Sequence, residues 1–176
     1  MSWPLLIVGI VVGERLVELA IARRNTKALL AKGAIEYGAA HYPLFWLLHA
    51  AWLAAVFALA PRYEPPQWAW LALYLVLIAA RIWVMASLGR FWTTRIIAVP
   101  GAPRVQRGPY RYLRHPNYLV VAGEIAVLPL VFGEAYVAAI FSALNLALLA
   151  GRIRIENRVL DVRRDSLRAS ATRGQP

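Results

Sequence analysis

Apolar residues along this chain fall into five long blocks, at about residues 3–22, 43–60, 67–88, 116–132 and 135–151, with polar stretches between them. An α-helix rises about 1.5 Å per residue, so roughly 20 apolar residues cross the hydrocarbon core of a bilayer. The pattern therefore predicts an all-α polytopic membrane protein with about five transmembrane helices. Proline placement agrees with these boundaries. Pro43 and Pro116 stand at the first turns of the second and fourth blocks, where a residue without an N–H is tolerated. The stretch PRYEPPQ, beginning at Pro61, cannot continue a helix and reverses the chain. The fourth block is short and contains Pro129, and Gly133–Glu134 turns it tightly into the fifth. These last two blocks read as a tilted or kinked hairpin. Trp68 and Trp70 at one end of the third block, and Trp83 near the other, suit the two membrane interfaces.

Between the blocks, ARRNTKALLAKGAIEYGAAHY predicts a short helix lying on the membrane surface. The run from Gly89 to Asn117 is rich in Pro, Gly and Arg and cannot hold a span. After the fifth block, GRIRIENRVLDVRRDSLRA reads as an amphipathic helix leaving the membrane. Residues 1–168 thus form one membrane domain, and residues 169–176 are expected to be a disordered tail.

Composition adds sidedness. The chain is 60% hydrophobic and 16% charged, yet its formal net charge is +11. Arg23, Arg24, Lys27 and Lys32 occupy the first connection, and Arg90, Arg95, Arg104, Arg107, Arg111 and Arg114 the third. Seven more arginines, from Arg152 to Arg173, follow the fifth block, whereas Arg62 lies alone on the opposite side. Lys and Arg collect in cytoplasmic loops, so the N-terminus is expected outside and the C-terminus in the cytoplasm. The same rule accounts for the positive charge without a nucleic-acid partner. With no cysteine and three dispersed histidines, neither a disulfide framework nor a metal site is expected. No internal repeat is visible, which disfavours a transporter built from inverted halves.

The chemistry concentrates in GPYRYLRHPNY, Gly108 to Tyr118. Gly108-Pro109 fixes a turn, and Pro116 opens the fourth span with His115 and Asn117 around its N-terminus. Unpaired N–H groups at a helix start attract carboxylate or phosphate. Tyr110, Tyr112 and Tyr118 add flat amphipathic faces, and Arg111 and Arg114 add charge. A polar aromatic ligand such as a nucleoside suits this set. A plain interfacial belt of Tyr and Arg explains the composition equally well, but not the two proline junctions.

Ionisable residues inside spans are expensive and are functional candidates by default. Glu14, Arg15 and Glu18 share a helix face, with an internal Arg15–Glu18 pair as the plain alternative. Glu124 is a candidate base, or else a structural partner of Arg81 across the bundle. Arg81 and Arg95 are candidates to orient an anionic acceptor oxygen. His41 and His49, eight apart near the second span, with Glu36 just before them, are candidates to line a substrate mouth that also includes Trp92.

GPYRYLRHPNY resembles the signature of the isoprenylcysteine carboxyl methyltransferase family, a Gly-Pro-Tyr turn followed by Arg-His-Pro and Tyr. The later RIRIENRVL resembles its second motif, an acidic pair after the last span. Glu156 matches the first acid, and Asn157 stands where many members carry the second. ERLVELAIARRN, GAIEYGAAHYP and Leu48-His49 further resemble a bacterial branch of small membrane methyltransferases associated with type III polyketide synthases. The resemblance implies S-adenosylmethionine as donor and S-adenosylhomocysteine as product. It implies a lipid-like acceptor of the alkylpyrone or alkylresorcinol type, and a bacterial inner membrane with a cytoplasmic active site. Carried onto this chain, the cofactor site comprises Gly108, Pro109, Tyr110, Arg114, His115, Pro116, Asn117, Tyr118, Glu156 and Asn157. Prenylcysteine carboxyl or phospholipid N-methylation on the same scaffold, and a non-catalytic binding protein or transporter, are the competing readings.

Overall fold

A computed structural model describes residues 2–100 and 105–173, with side chains described as far as Arg158. Arg104, the side chains of the later tail arginines, and residues 174–176 of the expected tail lie outside the described residues. Among the described residues five α-helices run in chain order: α1 (Trp3–Leu30), α2 (Tyr42–Leu59), α3 (Trp68–Leu88), α4 (Pro116–Val131) and α5 (Ala135–Arg173). Two short strands, β1 (Ile35–Tyr37) and β2 (Ile96–Ala98), add a small β component to the all-α expectation.

Two boundaries differ from the sequence pattern for one physical reason. The surface helix expected in the first connection is the continuation of α1, which runs unbroken through Arg23, Arg24 and Lys27 to Leu30. No Pro or Gly interrupts that stretch until Gly33, and a change from apolar to basic side chains does not stop a helix. The amphipathic tail helix likewise continues the fifth apolar block as one helix, α5.

Three segments, Ala39–Leu59, Trp68–Phe91 and Ala135–Arg158, are long and apolar enough to cross a membrane. α4 is a shorter apolar helix, and α1 carries the charged triplet Glu14, Arg15 and Glu18. The bundle's outer surface is apolar: Leu5, Ile10, Leu16, Val17, Leu47, Val76, Ile82, Leu119, Ile140 and Leu146 are all exposed. Apolar patches on this scale are not left facing water but mark a membrane-facing surface. The chain is an integral membrane protein.

All five helices meet in one core. Val8 and Val11 of α1, Trp52 and Val56 of α2, Tyr74 of α3, Ile125 and Leu128 of α4, and Val137 of α5 pack together there. α3 and α4 approach closely at Gly123, where an added Cβ would lie 2.9 Å from a Leu77 methyl carbon. Small residues at such crossings let backbones come together where lipid supplies no hydrophobic drive.

On one end of the bundle β1 and β2 pair antiparallel, with Ile35 opposite Ala98, Glu36 opposite Ile97 and Tyr37 opposite Ile96. This ribbon joins the α1–α2 connection to the α3–α4 connection. It therefore gathers two basic segments, distant in sequence, beside the end of α4 that carries the His-Pro junction.

Candidate active site

A shallow pocket, open to solvent, lies under the ribbon. Its walls include Glu36, His41, Tyr42, Phe45, Arg95 and Arg152. Arg95 reaches both Glu36 carboxylate oxygens at 3.0 Å from one guanidinium nitrogen, clamping the two strands together. The same guanidinium lies 4.7 Å above the Tyr42 ring, whose hydroxyl is 3.2 Å from Thr94 Oγ1. A cation on an aromatic face and a carboxylate beside it hold the mouth in shape.

Arg152 ties the pocket to the helices. Its Nε donates to the Tyr118 hydroxyl at 2.9 Å and its Nη2 to the Thr94 carbonyl at 2.8 Å. Its guanidinium also lies 5.1 Å from the Phe45 ring centre and 5.6 Å from that of Tyr118. One side chain thus joins α2, α4, α5 and the segment leading into β2. Tyr118 passes the connection on, donating to Glu156 Oε2 at 2.5 Å. His115 stacks on Tyr118 with centroids 5.3 Å apart, its Nδ1 3.6 Å from Glu156 Oε2 and its Nε2 3.3 Å from Asn157 Oδ1. Burial, and then the Glu156 carboxylate, push the Tyr110 phenol above its ordinary range, so it stays a neutral donor.

The turn that delivers these residues is built from the preceding loop. Gly108 takes φ +52° and lies so close to Ser87 Oγ and the Trp83 indole that a Cβ would collide. Pro109 is buried behind it, and Pro116 opens α4. Among the described residues, Asn117 Oδ1 and Trp92 Nε1 in this region are buried without a protein partner. Asn117 sits in the first turn of α4, beside backbone N–H groups that a helix start leaves free.

A second polar centre lies inside the bundle. Arg81 of α3 bonds Glu124 of α4 through two guanidinium nitrogens, its Nε lying 2.8 Å from Glu124 Oε1. Arg15 of α1 donates to Glu124 Oε2 at 2.9 Å and to Glu18 Oε2 at 2.8 Å. Arg81 Nε closes the ring, 3.3 Å from Glu18 Oε1. Two cations and two anions from three helices form a closed, neutral cluster, as charges removed from water require.

The structure brings His115, Tyr118, Glu156 and Asn157 together with Tyr110 beside them. Glu36, His41 and Arg95 meet at the pocket. Arg114 is exposed on the loop surface, and Trp92 is buried against Ala22, Val84 and Val120. The three candidates for acceptor chemistry are divided: Arg95 belongs to the pocket, whereas Arg81 and Glu124 belong to the internal cluster. His49 lies one turn beyond Phe45, its Nδ1 2.7 Å from the Phe45 carbonyl oxygen. Arg152 was missing from the sequence-derived site. Its position four before Glu156, on the same helix face, was the available signal.

Residues 70–162, just over half the chain, match the model of the isoprenylcysteine carboxyl methyltransferase (ICMT) family. The chain is 39% identical to the uncharacterized protein YpbQ of Bacillus subtilis over 91% of its own length and 96% of that protein's. It is 31% identical to an uncharacterized protein of Haemophilus influenzae over 81% of its length and 86% of that protein's. No solved structure matches. The matched region contains nearly all of α3, the Gly-Pro-Tyr turn, α4 and the Glu156 segment of α5, and the chain belongs to the isoprenylcysteine carboxyl methyltransferase family of membrane methyltransferases.

Proposed function

We propose that the protein is an S-adenosylmethionine-dependent methyltransferase acting on a hydroxyl of a lipid-like acceptor drawn from the bilayer. The observation that carries this reading is the meeting of His115, Tyr118, Glu156 and Arg152 at one end of an otherwise lipid-facing bundle. The residues suit the cofactor. Glu156 and Asn157 offer acceptors for ribose hydroxyls or an ammonium group, and the Tyr42 and Phe45 rings border the pocket. The unpartnered Asn117 Oδ1 and Trp92 Nε1 are polar atoms in need of a ligand or water. When bound, the cofactor supplies an electrophilic methyl group on a sulfonium sulfur.

The chain's own task is alignment, since direct displacement at a methyl carbon needs an in-line nucleophile rather than a covalent enzyme intermediate. Arg95 and Arg152 orient an acceptor oxygen at the pocket mouth. His41 and Glu36 line its entry. The alkyl tail stays among the helices, which is the reason to build such an enzyme in a membrane. Residues 1–168 form the single catalytic domain, crossing the membrane five times with α1 and α4 included. The N-terminus is outside, and the ribbon end faces the cytoplasm of a bacterial inner membrane. An alkylresorcinol or alkylpyrone, the product class of type III polyketide synthases, is the acceptor we favour.

One assay tests the reading. Membranes containing the protein are incubated with S-adenosylmethionine labelled in its methyl group, and the lipids are extracted. Label in a base-stable ether is the expected result. Base-labile label would identify a carboxyl ester instead, and headgroup label an N-methylated phospholipid. Absence of cofactor binding would overturn the proposal.

A further inference from the structure

One residue of the basic stretch that ends α1 is turned inward. Arg23, Arg24 and Lys27 are exposed, whereas Asn25 among them is buried. Asn25 shares the inward face of α1 with Ala22 and Leu29, three and four residues away. Ala22 belongs to the same buried cluster as Trp92, so this face looks onto the chain just past α3. There the Asn25 Nδ2 donates to the Trp92 carbonyl at 2.9 Å and to the Gly89 carbonyl at 3.2 Å.

Those two carbonyls bracket a turn. Gly89 ends α3 at φ +52°, and its carbonyl also accepts the Trp92 N–H at 3.0 Å. The direction of the turn sets where the next residues go. Thr93 Oγ1 donates to the Arg95 carbonyl at 2.7 Å. Thr94 gives its carbonyl to Arg152 Nη2 and its hydroxyl to Tyr42, and Arg95 reaches Glu36. The segment from Gly89 to Arg95 is thus held by Asn25 where it starts and by the pocket where it ends. Capping of α3 accounts for the bond to Gly89, but Trp92 lies beyond the helix. A primary amide suits the task, with one N–H for each carbonyl. Asp in its place would set an anion against two carbonyl oxygens, and Leu would leave them without this donor.

We propose that Asn25 is a positioning residue for the candidate active site, fixing through Gly89 and Trp92 the Thr94 carbonyl that holds Arg152. The inference rests on the methyltransferase reading and deepens it. Among the described residues Asn25 does not border the pocket, so its influence passes through the backbone. Without it the Thr94 carbonyl shifts, Arg152 loses one of its two bonds, and the Tyr118–Glu156 pair loses its brace. A misplacement of about 1 Å by a mutation far from the chemistry can cost about 100-fold in rate.

The test is a double-mutant cycle on the full-length protein in lipid nanodiscs, read as S-adenosylmethionine affinity by calorimetry. Asn25→Leu, and Asn25→Asp as a variant of native size, should each weaken binding by about 10-fold. The double variant Asn25→Leu, Arg152→Met should bind no worse than Arg152→Met alone, because both changes break one connection. Val56→Ala, a cavity in the core away from the pocket, controls for lost stability. It should lower the unfolding temperature and leave affinity unchanged. Unchanged affinity in both Asn25 variants, additive losses in the cycle, or an equal loss of affinity in Val56→Ala would each overturn the inference. Wild-type protein that binds no cofactor would sink the methyltransferase reading instead. Hydrogen exchange then judges Asn25 separately: faster exchange of the 93–98 amides in its variants supports the positioning role, and unchanged protection refutes it.

Discussion

Replacing Glu124 by Leu removes the anion that both Arg81 and Arg15 contact. The Arg81 and Glu124 side chains are 5% and 2% exposed, so water cannot take over the lost partner. Glu18 remains, at 3.3 Å from Arg81 and 2.8 Å from Arg15, but one carboxylate then faces two guanidinium groups. Breaking a buried pair by removing one member costs about 3–5 kcal/mol, chiefly the penalty of an uncompensated charge. At about 2–4 °C per kcal/mol for a domain of this size, the melting temperature should fall by roughly 6–20 °C. Helical circular dichroism in detergent micelles reads that shift. A paired Glu124→Leu, Arg81→Leu variant should recover most of the loss, because replacing a whole buried pair by apolar groups is often neutral or stabilising. The reasoning is refuted if the single variant melts within about 3 °C of wild type, since surface-like pairs contribute under 1 kcal/mol. An additive double variant would likewise show that the two residues do not act as a pair.

Three further outcomes follow from the site and the bundle. Tyr118→Phe removes the bond to Glu156 and the acceptor for Arg152. Charge-assisted bonds contribute about 1.5–3 kcal/mol, so the unfolding temperature should fall by roughly 3–12 °C, and cofactor affinity by calorimetry should fall with it as Glu156 and Arg152 lose the group that holds them in place. Gly108→Ala forces a side chain onto a positive φ and into Ser87, and should destabilise by about 1–3 kcal/mol in thermal melts. The chain has no cysteine, so single Lys32→Cys and Arg62→Cys variants report topology directly. A membrane-impermeant maleimide should label Arg62→Cys in intact cells and Lys32→Cys only in inverted vesicles, and the opposite pattern would reverse the orientation.

What the chain reveals before folding depends on how local the signal is. α2 and α3 follow from long apolar runs that His49 and Arg81 interrupt only briefly, and the His115–Pro116 junction from the way proline opens a helix. The ribbon was hidden because Ile35–Tyr37 and Ile96–Ala98 have three residues each, too few to show alternation, and are 58 residues apart. The cluster of Arg15, Glu18, Arg81 and Glu124 was half visible. Arg15–Glu18 is a helix-face pair, and Arg81–Glu124 a reasonable guess across the bundle. Their closure into one ring depends on the rotation of three helices, which no local pattern encodes. Asn145 stands within the apolar run of the fifth block, and its full burial emerges only when Val137 and Phe141 orient that face of α5 inward.

α5 carries core residues such as Val137 and the pocket residues Arg152 and Glu156 on one unbroken helix. Nineteen residues separate Val137 from Glu156, about 28 Å of rigid rod. Transmembrane helices tilt to match the thickness of the bilayer around them. Pivoting α5 by about 5° at its core end would carry Glu156 sideways by about 2.5 Å, nearly the length of its bond to Tyr118. The rod is in effect a lever between lipid and chemistry. If the proposed methyl transfer takes place at that end of the rod, turnover in vesicles should depend on acyl-chain length.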